Sequence, residues 1–221
     1  MARTLLLLLA SILICQRSYG KKRSHFARAE PFKDGLRIQY KLGYFLKKFP
    51  GLDGLLKDVI RPVMNKWSGT LKLTEQSNHN LAISRKCYED EVVYTESGRH
   101  CRWSCIPVMM CGRSVVPEEY LQKCTVLTFE GPKVQTLGGV GLRNTDLLLF
   151  LDTDNAVEEC QNYPALSFPC SWDSATNRRV PNAGMIHLCP MFFNETKQTQ
   201  VATLMHEMLH IFVSLLGQNM V

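Results

Sequence analysis

The sequence predicts an α+β domain on three observations. Two segments carry apolar residues at helical spacing, several others alternate or run continuously apolar like strands, and an aperiodic stretch dense in cysteine lies between them. The chain has 221 residues, of which 45% are hydrophobic and 21% charged. That composition describes a globular protein and excludes a repeat array, a coiled coil or a low-complexity tail. A net charge of +6 is too mild to call for a nucleic-acid partner.

Residues 1–20 read as a secretory signal peptide. Met1-Ala2-Arg3 gives a positive start, Leu5 to Cys15 is apolar apart from Ser11, and Ser18-Tyr19-Gly20 places small residues where a signal peptidase reads, predicting cleavage after Gly20. An apolar core of about 11 residues falls short of the roughly 20 that span a bilayer, and no other stretch is long enough. Residues 21–35 read as a basic amino-terminal tail. From Lys21 to Lys72 there are 13 basic and 4 acidic residues, against 11 basic and 16 acidic from Leu73 to Val221. Lys21-Lys22-Arg23 suits contact with acidic glycans or lipid headgroups, or processing, but a solvated tail is the simpler reading. The remaining residues, 36–221, form the predicted domain.

Within that domain, Leu36 to Leu42 alternates apolar and polar, as a half-buried first strand does. Leu52, Leu55, Leu56, Val59, Ile60, Val63, Met64 and Trp67 then fall on one face of a helix, which Pro62 should kink. Ser68-Gly69 is read as a break and Thr70 to Thr74 as a second strand. Cys87 to Cys124 has little periodicity and reads as a disulfide-tied excursion outside the core. Thr125 to Glu130 and Thr145 to Leu151 are strand-like, the second a near-continuous apolar run that suggests a central strand. Gly138-Gly139-Val140-Gly141 lacks the spacing of a phosphate cradle and reads as a loop. Ala183 to Cys189 is the last predicted strand, ended by Pro190. From about Lys197, the residues Val201, Leu204, Met205, Met208, Leu209 and Phe212 predict a helix running to Gly217.

Removing the signal peptide takes Cys15 with it and leaves Cys87, Cys101, Cys105, Cys111, Cys124, Cys160, Cys170 and Cys189. An even number in a secreted chain reads as up to four disulfides, whose pairing the spacing leaves open. Cys101, Cys105 and Cys111 lie close enough for a structural zinc site, but an oxidising compartment favours bridges. The sequon Asn194-Glu195-Thr196 makes Asn194 a glycosylation candidate on the same secretory route.

The chemistry sits on the last helix. In His206-Glu207-Met208-Leu209-His210 the two histidines project from one face, so both imidazoles can bind one Zn²⁺ while the glutamate reaches a water beside it. Zinc brings the pKa of such a water toward about 7, and the carboxylate takes its proton during attack on a peptide carbonyl and delivers it to the leaving nitrogen. A random chain of this composition would show the pattern roughly 0.01 times. A packing role for the helix would leave Glu207 as a charge to be hydrated or used.

With Arg179 to Pro190 ahead of it, Asn144 to Phe150 further back and Val116-Pro117-Glu118-Glu119-Tyr120-Leu121, the motif resembles the leishmanolysin and invadolysin group of secreted or surface zinc endopeptidases, within the metzincin superfamily. The resemblance runs from about Leu36 to His210. It implies the amino-terminal subdomain of a metzincin-like zincin: a twisted mixed sheet, with a kinked helix and the active-site helix packed on it, a disulfide-rich insertion and a cleft along one sheet edge. It also implies His206 and His210 as ligands of one Zn²⁺, Glu207 as the base, and protein or peptide substrates.

Three features depart from the family pattern. Val213 stands where the family has a glycine that turns the chain toward a third ligand, and its branched side chain resists the positive φ of such a turn. No His, Asp or Glu follows His210, whereas the family has a third histidine and a methionine turn well downstream, and His187 is the nearest spare imidazole. Lys21 to Lys86 contains no cysteine of the kind that a latent propeptide uses. Two functions are therefore carried forward. One is a secreted zinc metalloendopeptidase represented by its amino-terminal part. The other is a secreted pseudoprotease that binds proteins or matrix without cleaving them, with extracellular matrix or cell-surface proteins as partners in either case. Ile211, Phe212, Val213, Leu215 and Leu216 are expected to expose apolar surface if a carboxyl-terminal half normally covers them.

Overall fold

The computed structural model describes residues 35–71, 79–153, 158–172 and 180–213. The expected signal peptide, all but the last residue of the expected basic tail, and the expected continuation of the last helix to Gly217 lie outside these residues. Strand β1 (Ile38–Leu42) leads through a short 3-10 turn into helix α1, whose three consecutive segments are Leu52–Leu55, Leu56–Ile60 and Arg61–Thr70. A disulfide-rich region follows, with strands β2 (Val92–Thr95), β3 (Gly98–Cys101), β4 (Met110–Cys111), β5 (Ser114–Val115), β6 (Cys124–Thr128) and β7 (Gly131–Thr136). Strands β8 (Leu147–Asp152), β9 (Ala165–Trp172) and β10 (Pro181–Leu188) precede a one-turn helix α2 (Pro190–Phe193) and the long helix α3 (Lys197–Val213).

The central sheet has the order β1-β8-β10-β9. Strands β1 and β10 run parallel to β8, and β9 pairs antiparallel with β10 and forms an edge. The Arg37 side chain grips Asp146 with Nε to Oδ2 at 2.9 Å and Nη2 to Oδ1 at 2.6 Å, which aligns the starts of β1 and β8. β8 is apolar from Leu147 to Leu151 because both its faces are covered, and it ends in the buried Asp152. Leu147, Leu149 and Leu151 meet α1 and α3 on one side, while Leu148 and Phe150 meet Met109, Cys111, Val116 and Leu121 on the other.

Helix α1 carries the expected irregularity in a defined form. The middle segment is a π turn in which the Arg61 N–H reaches the Leu56 carbonyl, and Pro62 follows in the first turn of the next α segment. Proline has no N–H and its ring crowds the carbonyl four residues back, so widening the preceding turn accommodates both defects. Ser68-Gly69 does not break the helix, which continues to Thr70; Leu71 is extended, and the rest of the expected second strand lies outside the described residues. Trp67, buried on this last stretch, supplies the packing that outweighs the poor propensity of Ser and Gly.

The cysteine-dense stretch is more than an excursion. It contributes a sheet of its own, β2-β3-β6-β7, and part of the second core. Four disulfides, Cys87–Cys101, Cys105–Cys124, Cys111–Cys170 and Cys160–Cys189, use all eight cysteines. Cys111–Cys170 ties the β4–β5 hairpin to β9, and Cys160–Cys189 ties the approach to β9 to the end of β10. Among the described residues no helix is long and apolar enough to cross a membrane.

Candidate metal centre

Helix α3 is placed from both ends. At its start the Thr196 hydroxyl accepts from the Thr199 N–H at 3.2 Å, an N-cap contact, and Lys197 pairs with Asp58 of α1. Along its length Leu204, Met208 and Ile211 are fully buried in the core shared with α1 and β10. Toward its end the Phe212 ring packs on Trp67 with centroids 5.1 Å apart. Ile211 and Phe212 therefore have partners within the domain, which corrects the expectation that both would be exposed. The helix is still regular at Val213, as expected of a β-branched residue where a positive φ is not adopted.

This anchoring turns the remaining face of α3 toward a cavity of about 600 Å³ at the β9 edge. His206 and His210 meet there, with Nε2 atoms 3.0 Å apart and rings nearly perpendicular at 87°. Two nitrogens bound to one ion at 2.0–2.1 Å in tetrahedral arrangement would stand about 3.3 Å apart, so the spacing of the pair is close to that of two zinc ligands. A carboxylate oxygen of Glu207 lies within 4.8 Å of both ligand nitrogens. Two neutral imidazoles are donors that Zn²⁺ prefers, and the adjacent carboxylate lies beside them.

Glu207 is buried, and burial pushes its carboxyl above the ordinary value, opposed by the Ser167 hydrogen bond and by the two histidines. Ser167 is on β9, and its Oγ lies 2.7 Å from the Glu207 carbonyl oxygen and 2.8 Å from Glu207 Oε2. His187, buried on β10, lines the same cavity but clusters with Cys160 and Cys189, whose sulfurs are joined to each other, and not with His206 and His210. The cavity wall beyond the histidines comes from Tyr163, Phe168, Met185 and the Gly112-Arg113 tip of the β4–β5 hairpin. Sequence reasoning found the residues of the helix and missed Ser167 and this wall. The one local signal for the wall was the pairing capacity of Cys111 and Cys170. Asn194 lies exposed in the turn between α2 and α3.

No family model matches the chain. Over 166 residues it is 27% identical to a leishmanolysin-like peptidase of Drosophila pseudoobscura pseudoobscura, a match that takes 71% of this chain and 24% of the relative. The chain thus spans about a quarter of the length of that curated relative, and the likeness supports a leishmanolysin-like peptidase lineage.

Proposed function

We propose that this chain carries the zinc-binding, amino-terminal part of a secreted metalloendopeptidase of leishmanolysin type. The observation that carries the reading is the convergence of the His206 and His210 Nε2 atoms beside a buried carboxylate, in a cavity bordered by the outer strand β9, which has no second partner strand among the described residues. His206 and His210 would hold the ion. When bound, zinc supplies Lewis acidity that polarises a peptide carbonyl and acidifies a water. Glu207 takes the proton from the attacking water and hands it to the leaving nitrogen, a task suited to a carboxyl whose proton affinity burial has raised. The outer edge of β9 offers main-chain groups along which an extended peptide can lie. The four disulfides support an oxidising, extracellular setting after removal of residues 1–20. In that setting the exposed Asn194 would carry a glycan, and substrates or partners would be extracellular matrix or cell-surface proteins.

The test is zinc affinity of disulfide-intact Lys21–Val221, by competition with a chromogenic chelator, beside His206→Ala and with a peptidase assay. Stoichiometric zinc that is lost in His206→Ala is expected. Glu207→Gln should keep the zinc and lower peptidase activity by about 10²–10⁴-fold. Zinc held no more tightly than by His206→Ala would refute the reading and leave a binding module that does not hydrolyse.

A further inference from the structure

Glu207 has a partner outside its own helix, and that partner defines where its carboxylate can go. Ser167 belongs to the edge strand, in register with Ile186 of β10, so its side chain points to the same sheet face as Ile186, the one covered by α3. Its single hydroxyl proton is shared between the Glu207 main-chain oxygen and Oε2, at 2.7 and 2.8 Å. A glutamate in the middle of a helix ordinarily samples several rotamers. Here one oxygen is fixed to a neighbouring strand, inside a site where a hydrogen bond to an ionised group is worth more than in water. The same carboxylate lies within 4.8 Å of both histidine nitrogens, close enough that a change of rotamer would bring it onto an ion held between them. A glutamate bound to the ion could not also act as a proton carrier.

We infer that Ser167 is a positioning residue that holds the Glu207 carboxylate beside the edge strand and keeps it off an ion bound by His206 and His210. The inference rests on the metal-binding reading of those histidines. It requires no catalysis by this chain, because the binding of the ion reports the position of the carboxylate.

The probe is Co²⁺, added as cobalt chloride to the disulfide-intact chain and followed by its visible absorption. Wild type should bind in a manner lost in His206→Ala. Ser167→Ala frees the carboxylate to join the ion, so it should bind cobalt about tenfold more tightly, the scale of one lost hydrogen bond to a charged group, and with a shifted band. Ser167→Thr keeps the hydroxyl and should behave as wild type. Ser167→Ala/Glu207→Gln should bind no more tightly than Glu207→Gln alone, which separates the effect from general loosening of the site.

Equal cobalt affinity and spectrum in wild type and Ser167→Ala would overturn the inference while leaving the metal site standing. A shift that persists in the double variant, measured against Glu207→Gln, would overturn it too, because the effect would not pass through Glu207. A folded wild type that binds cobalt no better than His206→Ala would overturn the metal reading and, with it, this role for Ser167.

Discussion

At Gly184 of β10 helix α3 lies close against the sheet, and a single methyl group there should be costly. A Cβ at position 184 would stand 2.8 Å from Ile211 Cδ1, 3.0 Å from Cγ2 and 3.2 Å from Cγ1, against about 3.5–4.0 Å for an ordinary carbon contact. Cδ1 could swing away, but Cγ1 and Cγ2 sit on a β-branched centre whose χ1 is nearly locked in a helix. The last turns of α3 must therefore lift by roughly 0.5 Å, an overpacking strain of about 1–3 kcal/mol, or a melting shift near 2–4 °C per kcal/mol in a domain of this size. Gly184→Ala should show this loss in urea unfolding of the disulfide-intact protein. Ile211→Ala alone should cost about 2–5 kcal/mol through the cavity it leaves. In the double variant the new methyl occupies part of that cavity, so the two effects should fall short of additive by about 1 kcal/mol or more. Additivity within about 0.5 kcal/mol, or a Gly184→Ala protein as stable as wild type, would refute the close approach. His210 precedes Ile211, so zinc affinity should fall along with stability in Gly184→Ala.

Three further outcomes are expected. Cys111→Ser/Cys170→Ser opens a link between residues 59 apart in sequence and should cost about 2–5 kcal/mol, read from the urea midpoint, with faster proteolysis of the β4–β5 hairpin. Glu207 has a raised pKa, so the metal-free protein should lose stability as pH rises from about 4.5, where the unfolded chain begins to release this proton, to the folded-state pKa; below that window both states hold the proton and nothing is lost. Thermal melts from pH 4 to 8 should show the slope in wild type and lack this component in Glu207→Gln. Arg85→Ala should cost about 3 kcal/mol or more in the same urea assay, since the buried guanidinium bridges the Pro107 carbonyl at 3.3 Å and pairs with Glu118, whereas Glu118→Gln keeps an acceptor on an exposed side chain and should cost less.

Much of the helical half of the domain was legible because its signals are local. The spacing from Leu52 to Trp67 and from Val201 to Phe212 reports one buried face each, and both faces meet the same side of the central sheet. Leu147 to Leu151 announced a strand covered on both sides, and it proved to be flanked by two parallel neighbours. The miss at Ser68-Gly69 shows a weak propensity overridden by the burial of Trp67. β9 was not legible: its Ala-Leu-Ser-Phe-Pro-Cys-Ser-Trp run has no clean alternation and contains Pro169, which an edge strand tolerates and a central one does not. In the cysteine-rich region, disulfides and Arg85 replace the long apolar runs by which a sheet is usually recognised.

The candidate site divides along the same line. His206, Glu207 and His210 are visible in sequence because ligation by one helix face demands a fixed spacing. What gives Glu207 its surroundings is 40 residues away in the chain, on the strand that local reasoning missed. A serine in an irregular run carries no mark of its partner, since a hydroxyl suits solvent, a cap or a buried acceptor equally well. Only the antiparallel pairing of β9 with β10 puts Ser167 opposite Ile186 and so under α3. The same pairing, fastened by Cys111–Cys170 and Cys160–Cys189, places the outer strand β9, the cavity wall and the carboxylate together. A motif can therefore specify which atoms would bind an ion, while the position of the acid beside it depends on a strand whose place the sequence does not state.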